Sequence, residues 1–271
     1  MEQQGYLEIK KQRKYLVIGL LAAIAAIDAT VLFTAGSEIE YYVNDLSRIG
    51  TIGAAVILSL VIVSRQGVTG LFGRAYTMLA AGLVLWMIAE IIWGYYELGL
   101  GVESPFPSLA DAFWLAAYGP IGYHMFSTSK FFGRGIKKPV VIVVIAAATI
   151  VTYFLLQEII NVSTLEGADA LTAVGISVAY PVFDAIVLVP AVLMITNAGR
   201  GQLTSIPWIF IAMLLLFIAD YLLGLTAVVD FAGQTFHITM IYNASYLCFM
   251  AGLLWYNKQF IFNRKKTTKL M

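Results

Sequence analysis

The sequence has few of the residues that redox and metal chemistry need. Of its 271 residues, one is a cysteine and two are histidines. The single Cys248 excludes a disulfide within the chain. His124 and His237 belong to no HExxH motif and do not form a pair one helical turn apart, so the pattern of a zinc hydrolase is missing. We therefore predict neither a metal ion nor a cofactor.

Charged residues are also scarce, at 12%, whereas 60% of the residues are hydrophobic. This composition is typical of membrane proteins, in which a helix needs about 20 apolar residues to cross about 30 Å of hydrocarbon. The apolar runs predict an all-α polytopic integral membrane protein with eight transmembrane helices. They cover about 15–35, 48–65, 75–97, 108–129, 139–160, 171–196, 206–230 and 235–257.

The charges of the predicted loops indicate an orientation. Cytoplasmic loops retain Lys and Arg, and with the N-terminus inside, every basic residue except Arg48 falls on the cytoplasmic side. We expect a protein of the plasma membrane with both termini in the cytoplasm, with basic tails at 1–14 and 258–271 around one membrane domain at 15–257. Basic tails of this kind indicate contact with membrane lipids and no nucleic-acid partner.

An internal repeat is indicated by the two most similar acidic segments. Sliding the sequence until Glu90 of "LWMIAEIIWGYYELG" falls on Asp220 of "LLFIADYLLGLTAVV" lays the first four predicted helices over the last four. An even number of helices in each half gives both halves the same orientation. The sequence thus predicts two pseudo-repeated four-helix halves, at about 15–129 and 139–257.

Carboxyl groups within the predicted spans are the first candidates for a site. They are Asp28, Glu90, Asp111, Asp184 and Asp220. A charged side chain at mid-membrane costs about 2.5–3.5 kcal/mol on insertion scales, so such residues usually face a protein interior or a water-filled cavity. No Lys or Arg lies deep in a predicted span, and we expect these carboxyls to lack a cationic partner. The same absence excludes a retinal protein, whose Schiff base needs a buried lysine.

Aromatic and amide residues accompany several of these carboxyls at helical spacing. Carboxylates beside aromatic faces suit a cationic ligand, and we predict a ligand site without catalytic residues in the outer half of the membrane. Its residues are Glu90, Asp220, Asp184, Trp86, Trp93 and Asn243. The alternative is structural, because Trp is enriched at membrane interfaces and Asp or Asn often joins neighbouring helices by hydrogen bonds.

The segment "ESPFPSLADAFWLAAY" interrupts the apolar pattern with two prolines. Ser108 occupies a favourable N-cap position, and Asp111 follows three residues later, as in a capping box. We predict that Ser108 and Asp111 form a structural cap at the entry to the fourth helix.

Residues 85–120, "LWMIAEIIWGYYELGLGVESPFPSLADAFWLAAYGP", resemble a family of multi-pass sensor domains found N-terminal to bacterial and archaeal GGDEF diguanylate cyclases and histidine kinases. That family has a Trp- and Glu-rich helix, a Pro-Ser-x-x-Asp helix start and a Tyr-Pro-like turn, for which this chain has Tyr118-Gly119-Pro120. The segments 179–193 and 217–225 are similar to later landmarks. The resemblance implies a sensor, and because only "YNKQFIFNRKKTTKLM" follows the last predicted helix, we expect a separate cytoplasmic signalling partner.

Two alternatives remain open. "FIADYLLGL" and "MIYNASYLCFMAGLL" are similar to the closing pattern of membrane lipid hydrolases of the lysoplasmalogenase type. This chain has Ser245 where those enzymes tend to have Gln, and His124 corresponds only loosely to their His. A small-solute transporter or channel is the other alternative. We expect a sensor that binds a small cationic or lipidic ligand rather than an enzyme.

Overall fold

The computed structural model describes residues 2–102, 106–132, 136–162, 168–197, 207–226 and 236–258. Within these ranges the chain is helical and contains no strand. The helices are α1 Glu2–Thr34, α2 Glu40–Gln66, α3 Gly70–Gly94, α4 Leu109–Phe132, α5 Lys138–Val162, α6 Ala168–Asn197, α7 Pro207–Thr226 and α8 Phe236–Tyr256. A π-helical turn, Tyr95–Gly99, extends α3.

Within the residues that the structure describes, six helices are long and apolar enough to cross a membrane, which confirms the predicted class of all-α multi-pass membrane protein. Their apolar spans are Lys11–Thr34, Glu40–Gln66, Gly70–Gly99, Lys138–Gln157, Leu171–Thr196 and Phe236–Tyr256. The apolar stretch of α7, Trp208–Leu223, is shorter, and α4 is not among the six. Polar residues, among them Asp111, His124 and Thr128, lower the hydropathy of α4, and all three are buried in the bundle.

Helix α2 begins earlier than the sequence predicts. It starts at Glu40 rather than near residue 48, so Asp45 and Arg48 lie inside the helix instead of at its outer end. The two side chains are three positions apart, a spacing at which opposite charges meet on one helix face, and they form an ion pair. The search for apolar runs missed the first residues of α2, because charged residues interrupt the apolar pattern there.

Where the described contacts define the direction, helices that follow one another in the sequence run antiparallel. The pairs α2–α8 and α4–α6, which are not consecutive, run parallel. Between α2 and α8, Thr51 contacts Asn243 and Arg65 contacts Asn257, so both helices advance in the same direction. Between α4 and α6, the parallel arrangement follows from contacts of Asp111 and Tyr118 with residues of α6.

Helix α8 occupies the centre of the bundle. Of its apolar span, 72% is buried inside the protein, against 11% for the spans of α1 and α5, so α1 and α5 leave most of their surface to lipid. Glycines allow the closest helix contacts. A Cβ on Gly82 of α3 would lie 2.3 Å from Ile121 Cγ1 of α4, and one on Gly252 of α8 would lie 2.7 Å from Ile209 Cγ1 of α7.

Candidate functional site: buried carboxylates at the upper end of the bundle

Most of the intramembrane carboxyls lie at one end of the bundle. We call it the upper end, where α1 stops at Thr34, α2 starts at Glu40 and α4 starts at Leu109. Two groups of side chains form there. The tyrosine–carboxylate cluster consists of Asp111, Tyr118, Tyr180, Asp184, Asp220 and Tyr242. The Arg48 triad consists of Asp45, Arg48 and Glu90.

Tyr118 of α4 lies between two carboxylates from different helices. Its hydroxyl is 2.6 Å from Asp184 Oδ1 of α6 and 3.3 Å from Asp220 Oδ2 of α7. A phenol has one hydrogen to donate, so it serves one of the two oxygens at a time. Tyr242 of α8 donates to the other oxygen of Asp220. Asp184 and Asp220 therefore cannot both receive the Tyr118 hydrogen at the same time.

Asp184 and Asp220 differ in exposure. Asp184 is only 2% exposed, whereas Asp220, Tyr180 and Tyr242 are half-buried. Among the described residues, neither carboxylate of this pair forms an ion pair with a Lys or Arg. Asp220 is therefore the more accessible carboxylate of the pair.

Asp111 is held at the start of α4. Its Oδ2 accepts the Ser108 backbone N–H at 2.7 Å, and the Ser108 hydroxyl accepts the Ala110 N–H at 3.2 Å, which is the reciprocal geometry of a capping box. The other oxygen, Oδ1, accepts the Tyr180 hydroxyl at 2.9 Å. Asp111 therefore combines a capping bond with a link between α4 and α6.

The Arg48 triad corrects the expectation that the outer carboxyls lack a cationic partner. Arg48 pairs with Asp45 on its own helix, and its Nε lies 3.5 Å from Glu90 Oε2 of α3. Tyr246 of α8 donates to Glu90 Oε1 at 2.7 Å. For Glu90 the expectation is wrong because α2 begins at Glu40 and carries Arg48 into the bundle.

Asn243 has its amide committed to another helix. Its Nδ2 donates to Ser47 Oγ at 2.8 Å, and its Oδ1 accepts the Thr51 hydroxyl at 2.9 Å. The structure therefore places Asn243 in a polar clamp between α8 and α2 and shows no contact between it and the six residues of the tyrosine–carboxylate cluster.

The two tryptophans of the predicted site lie at different depths. Trp86 is 2% exposed and meets the rings of Tyr118 and Phe249 edge to face, with centroids 6.2 and 6.1 Å away. Trp93 is half-buried, and its ring lies 5.4 Å from that of Trp114. Trp86 supports the Tyr118 ring from below, whereas Trp93 packs nearer the end of α3.

The two residues that were compared with the hydrolase pattern, Ser245 and His124, lie in separate surroundings. Ser245 is fully buried and donates to the Ala212 carbonyl. His124 Nδ1 is 3.0 Å from the Ala75 carbonyl oxygen, and its ring meets that of Tyr76. Since Tyr76 and Glu90 are both on α3, a rise of 1.5 Å per residue puts His124 about 21 Å below the level of the Arg48 triad.

Two cavities in the described part of the chain lie outside the tyrosine–carboxylate cluster and the Arg48 triad. One of about 140 Å³ is lined by Tyr41, Tyr42 and the π-helical turn. A groove of about 380 Å³ between α5 and α6 is lined mainly by apolar residues, such as Tyr153 and Ile186, and faces outward. Neither is lined by a residue of the tyrosine–carboxylate cluster.

The tyrosines Tyr118, Tyr242 and Tyr246, together with Asp45 and Arg48, complete the network but were not among the predicted site residues. Helical spacing placed Tyr118 on the stripe of Asp111, so that signal was present in the sequence. The three-residue spacing of Asp45 and Arg48 was a second signal of the same kind.

Comparisons of the chain with protein-family models, with curated proteins and with solved structures give no match. Among the described residues, no three His, Cys, Asp or Glu side chains are grouped closely enough to hold a metal ion.

Proposed function

We propose that this protein is a membrane sensor, a receptor-like module that binds a small cationic ligand at the tyrosine–carboxylate cluster and signals to a separate cytoplasmic partner. The observation that carries the proposal is the single hydroxyl of Tyr118 between Asp184 and Asp220. Two carboxylates from different helices share one donor, and a ligand that brings N–H donors and a positive charge completes their coordination.

The size and access of the site favour a small ammonium-type ligand over a lipid. Neither of the two cavities described above is lined by a residue of the cluster. Half-buried Asp220 and Tyr180 border the entrance, and tyrosine rings attract cations through their faces.

The packing of the cluster supports transmission to the opposite end of the bundle. A ligand between Asp184 and Asp220 changes the contact between α6 and α7, and Tyr242 links that contact to α8. Helix α8 is joined to α2 near the upper end through Asn243 and at the lower end by a bond between Arg65 and Asn257. A shift of α8 would therefore reach the lower surface through α2.

The proposed arrangement in the membrane keeps all eight helices as spans, with both termini in the cytoplasm of a plasma-membrane protein. The helix contacts support the two-half repeat. Contacts α2–α3 and α3–α4 correspond to α6–α7 and α7–α8, and the contact of α4 with α6 corresponds to that of α8 with α2. Exchange of the two halves therefore reproduces most of the pairing.

The similarity of residues 85–120 to sensor domains of cyclases and kinases favours the same function. The hydrolase alternative is less well supported, because His124 lies far below the carboxylates and Ser245 is bonded to the Ala212 carbonyl. Transport remains an outcome of the test.

The test uses the full chain in lipid nanodiscs, titrated with methylammonium chloride and followed by tryptophan fluorescence. We expect a saturable change in fluorescence. Asp184→Asn and Asp220→Asn should each weaken the affinity for methylammonium at least tenfold. Asp28→Asn is the matched control, since Asp28 is a half-buried carboxyl near the end of α1 and bonds to no residue of the cluster. Equal responses in all three variants would refute the site.

Turnover and flux distinguish the alternatives. Release of a lipid product by the purified protein, abolished by Asp220→Asn, would replace the proposal with the hydrolase. Methylammonium uptake into proteoliposomes would replace it with a transporter. Binding without either supports the sensor.

A further inference from the structure

The cavity of about 140 Å³ at the upper end of the bundle combines aromatic side chains with a carboxylate. It is lined by Tyr41, Tyr42, Glu97, Leu98 and Gly101. None of these residues belongs to the tyrosine–carboxylate cluster or to the Arg48 triad, and the proposed function does not use them. The cavity is therefore a separate candidate for a binding site.

The walls of the cavity come from two parts of the chain. Tyr41 and Tyr42 lie in the first turn of α2, where consecutive side chains point about 100° apart. The other wall is formed by the π-helical turn and the residues after it. There the Val102 N–H donates to the Tyr96 carbonyl at 3.0 Å, and Gly101 has a φ of 65°, which favours glycine. The cavity thus lies between α2 and a hydrogen-bonded turn.

The cavity is accessible at the boundary of the membrane spans. It lies where the span of α2 begins and that of α3 ends. Tyr41 is 45% exposed and Tyr42 51%, and tyrosine is enriched at membrane–water interfaces. Glu38 and Glu40 precede the two tyrosines in the chain, and negative charge raises the local concentration of cations. A cation from water or from the headgroup layer can therefore reach the cavity.

The lining residues define the chemistry of the ligand. Aromatic rings attract cations through their faces and are the usual means of recognising quaternary ammonium groups. Such a group has no N–H to donate, so it needs no set of acceptors. A calcium ion needs about six to eight oxygen ligands, and among the described residues no three metal-ligating side chains are grouped. Since an apolar cavity of about 150 Å³ holds benzene, one of about 140 Å³ accommodates a trimethylammonium group.

We propose that this cavity binds a trimethylammonium group, with the rings of Tyr41 and Tyr42 against its methyl groups and the Glu97 carboxylate balancing its charge. The group belongs either to a free choline-type cation or to the headgroup of phosphatidylcholine, and both present the same chemistry to the cavity. The inference uses no residue of the tyrosine–carboxylate cluster, so it stands or fails independently of the sensor function.

Isothermal titration calorimetry with tetramethylammonium chloride at constant ionic strength tests the site. The full chain is held in nanodiscs of equal parts phosphatidylglycerol and phosphatidylethanolamine. We expect saturable binding that Tyr42→Leu and Glu97→Gln each weaken at least about threefold, since each removes an attraction for the cation. Tyr42→Phe keeps the ring and should bind like the wild type. Glu38→Gln is the matched control, because Glu38 is exposed at the same end and does not line the cavity.

Further outcomes separate this site from the tyrosine–carboxylate cluster and from a failure of folding. Asp220→Asn should leave the binding of tetramethylammonium unchanged, and a loss in that variant alone would overturn the proposal in favour of the cluster. Circular dichroism shows whether each variant is folded. Should Tyr42→Leu not fold, Glu97→Gln carries the same test, because it keeps both rings.

The lipid composition distinguishes the two sources of the group. An affinity that falls when phosphatidylcholine replaces phosphatidylethanolamine indicates the lipid headgroup, and an unchanged affinity indicates a free cation. Absence of saturable binding in the first nanodiscs, or equal binding in the wild type, Tyr42→Leu and Glu97→Gln, would overturn the site. Displacement of tetramethylammonium by methylammonium at equal affinity would overturn the assignment to a quaternary group.

Discussion

The replacement Tyr118→Phe is the sharpest test of the tyrosine–carboxylate cluster. It removes one hydroxyl and keeps the ring that packs against Trp86. Asp220 retains its bond from Tyr242, whereas Asp184 has no other hydrogen-bond donor among the described residues. A hydrogen bond to a charged group contributes about 1.5–3 kcal/mol, so we expect the free energy of unfolding to fall by about 2–3 kcal/mol.

Reversible unfolding in mixed dodecylmaltoside and SDS micelles, followed by circular dichroism, measures this loss. Tyr123→Phe is the matched control, because Tyr123 is on the same helix and 42% exposed. Replacement of both partners, Tyr118→Phe with Asp184→Leu, should cost at least 0.5 kcal/mol less than the sum of the single changes, as coupled groups do. A loss in Tyr118→Phe no larger than in Tyr123→Phe would refute the hydrogen-bond geometry.

Two further predictions concern helix packing and use the same unfolding assay. Gly252→Ala should destabilise the contact of α8 with α7 by about 1–3 kcal/mol, as overpacking does, because the new Cβ meets Ile209, whereas Gly119→Ala, with no atom within 4 Å, should not. Asn243→Ala should cost about 1 kcal/mol, since interhelical hydrogen bonds in membranes contribute about 0.6 kcal/mol on average. A neutral Asn243→Ala would mean that its bond with Thr51 contributes nothing.

Composition and apolar run length predicted the class of this protein because lipid imposes the same requirement on every span. They located the ends of α8, predicted at 235–257 and found at Phe236–Tyr256, within a residue or two. They failed at the start of α2, where eight residues of helix, 40–47, are too polar to be recognised as membrane-spanning.

The error at α2 propagated to the site. Because Arg48 was assigned to a helix end, we expected Glu90 to lack a cationic partner. The ion pair between Arg48 and Glu90 was therefore missed. Periodicity identifies which residues of one helix share a face, but it does not state which helices become neighbours. That Asp184 and Asp220 meet at Tyr118 depends on the packing of α4, α6 and α7, and no spacing within a single helix encodes it.

The polar contacts of α8 bear on the question of why this bundle contains carboxylates. Asn243 joins α8 to α2 with neutral side chains alone, so helix association here needs no charge. Buried ion pairs stabilise a fold weakly, because their desolvation offsets the Coulombic attraction. In the lower half of the bundle a buried polar side chain is satisfied without any charge, because Thr128 donates to backbone carbonyls of its own helix. Structural need alone therefore does not account for Asp184 and Asp220, and this supports the proposed binding of an ammonium group between them.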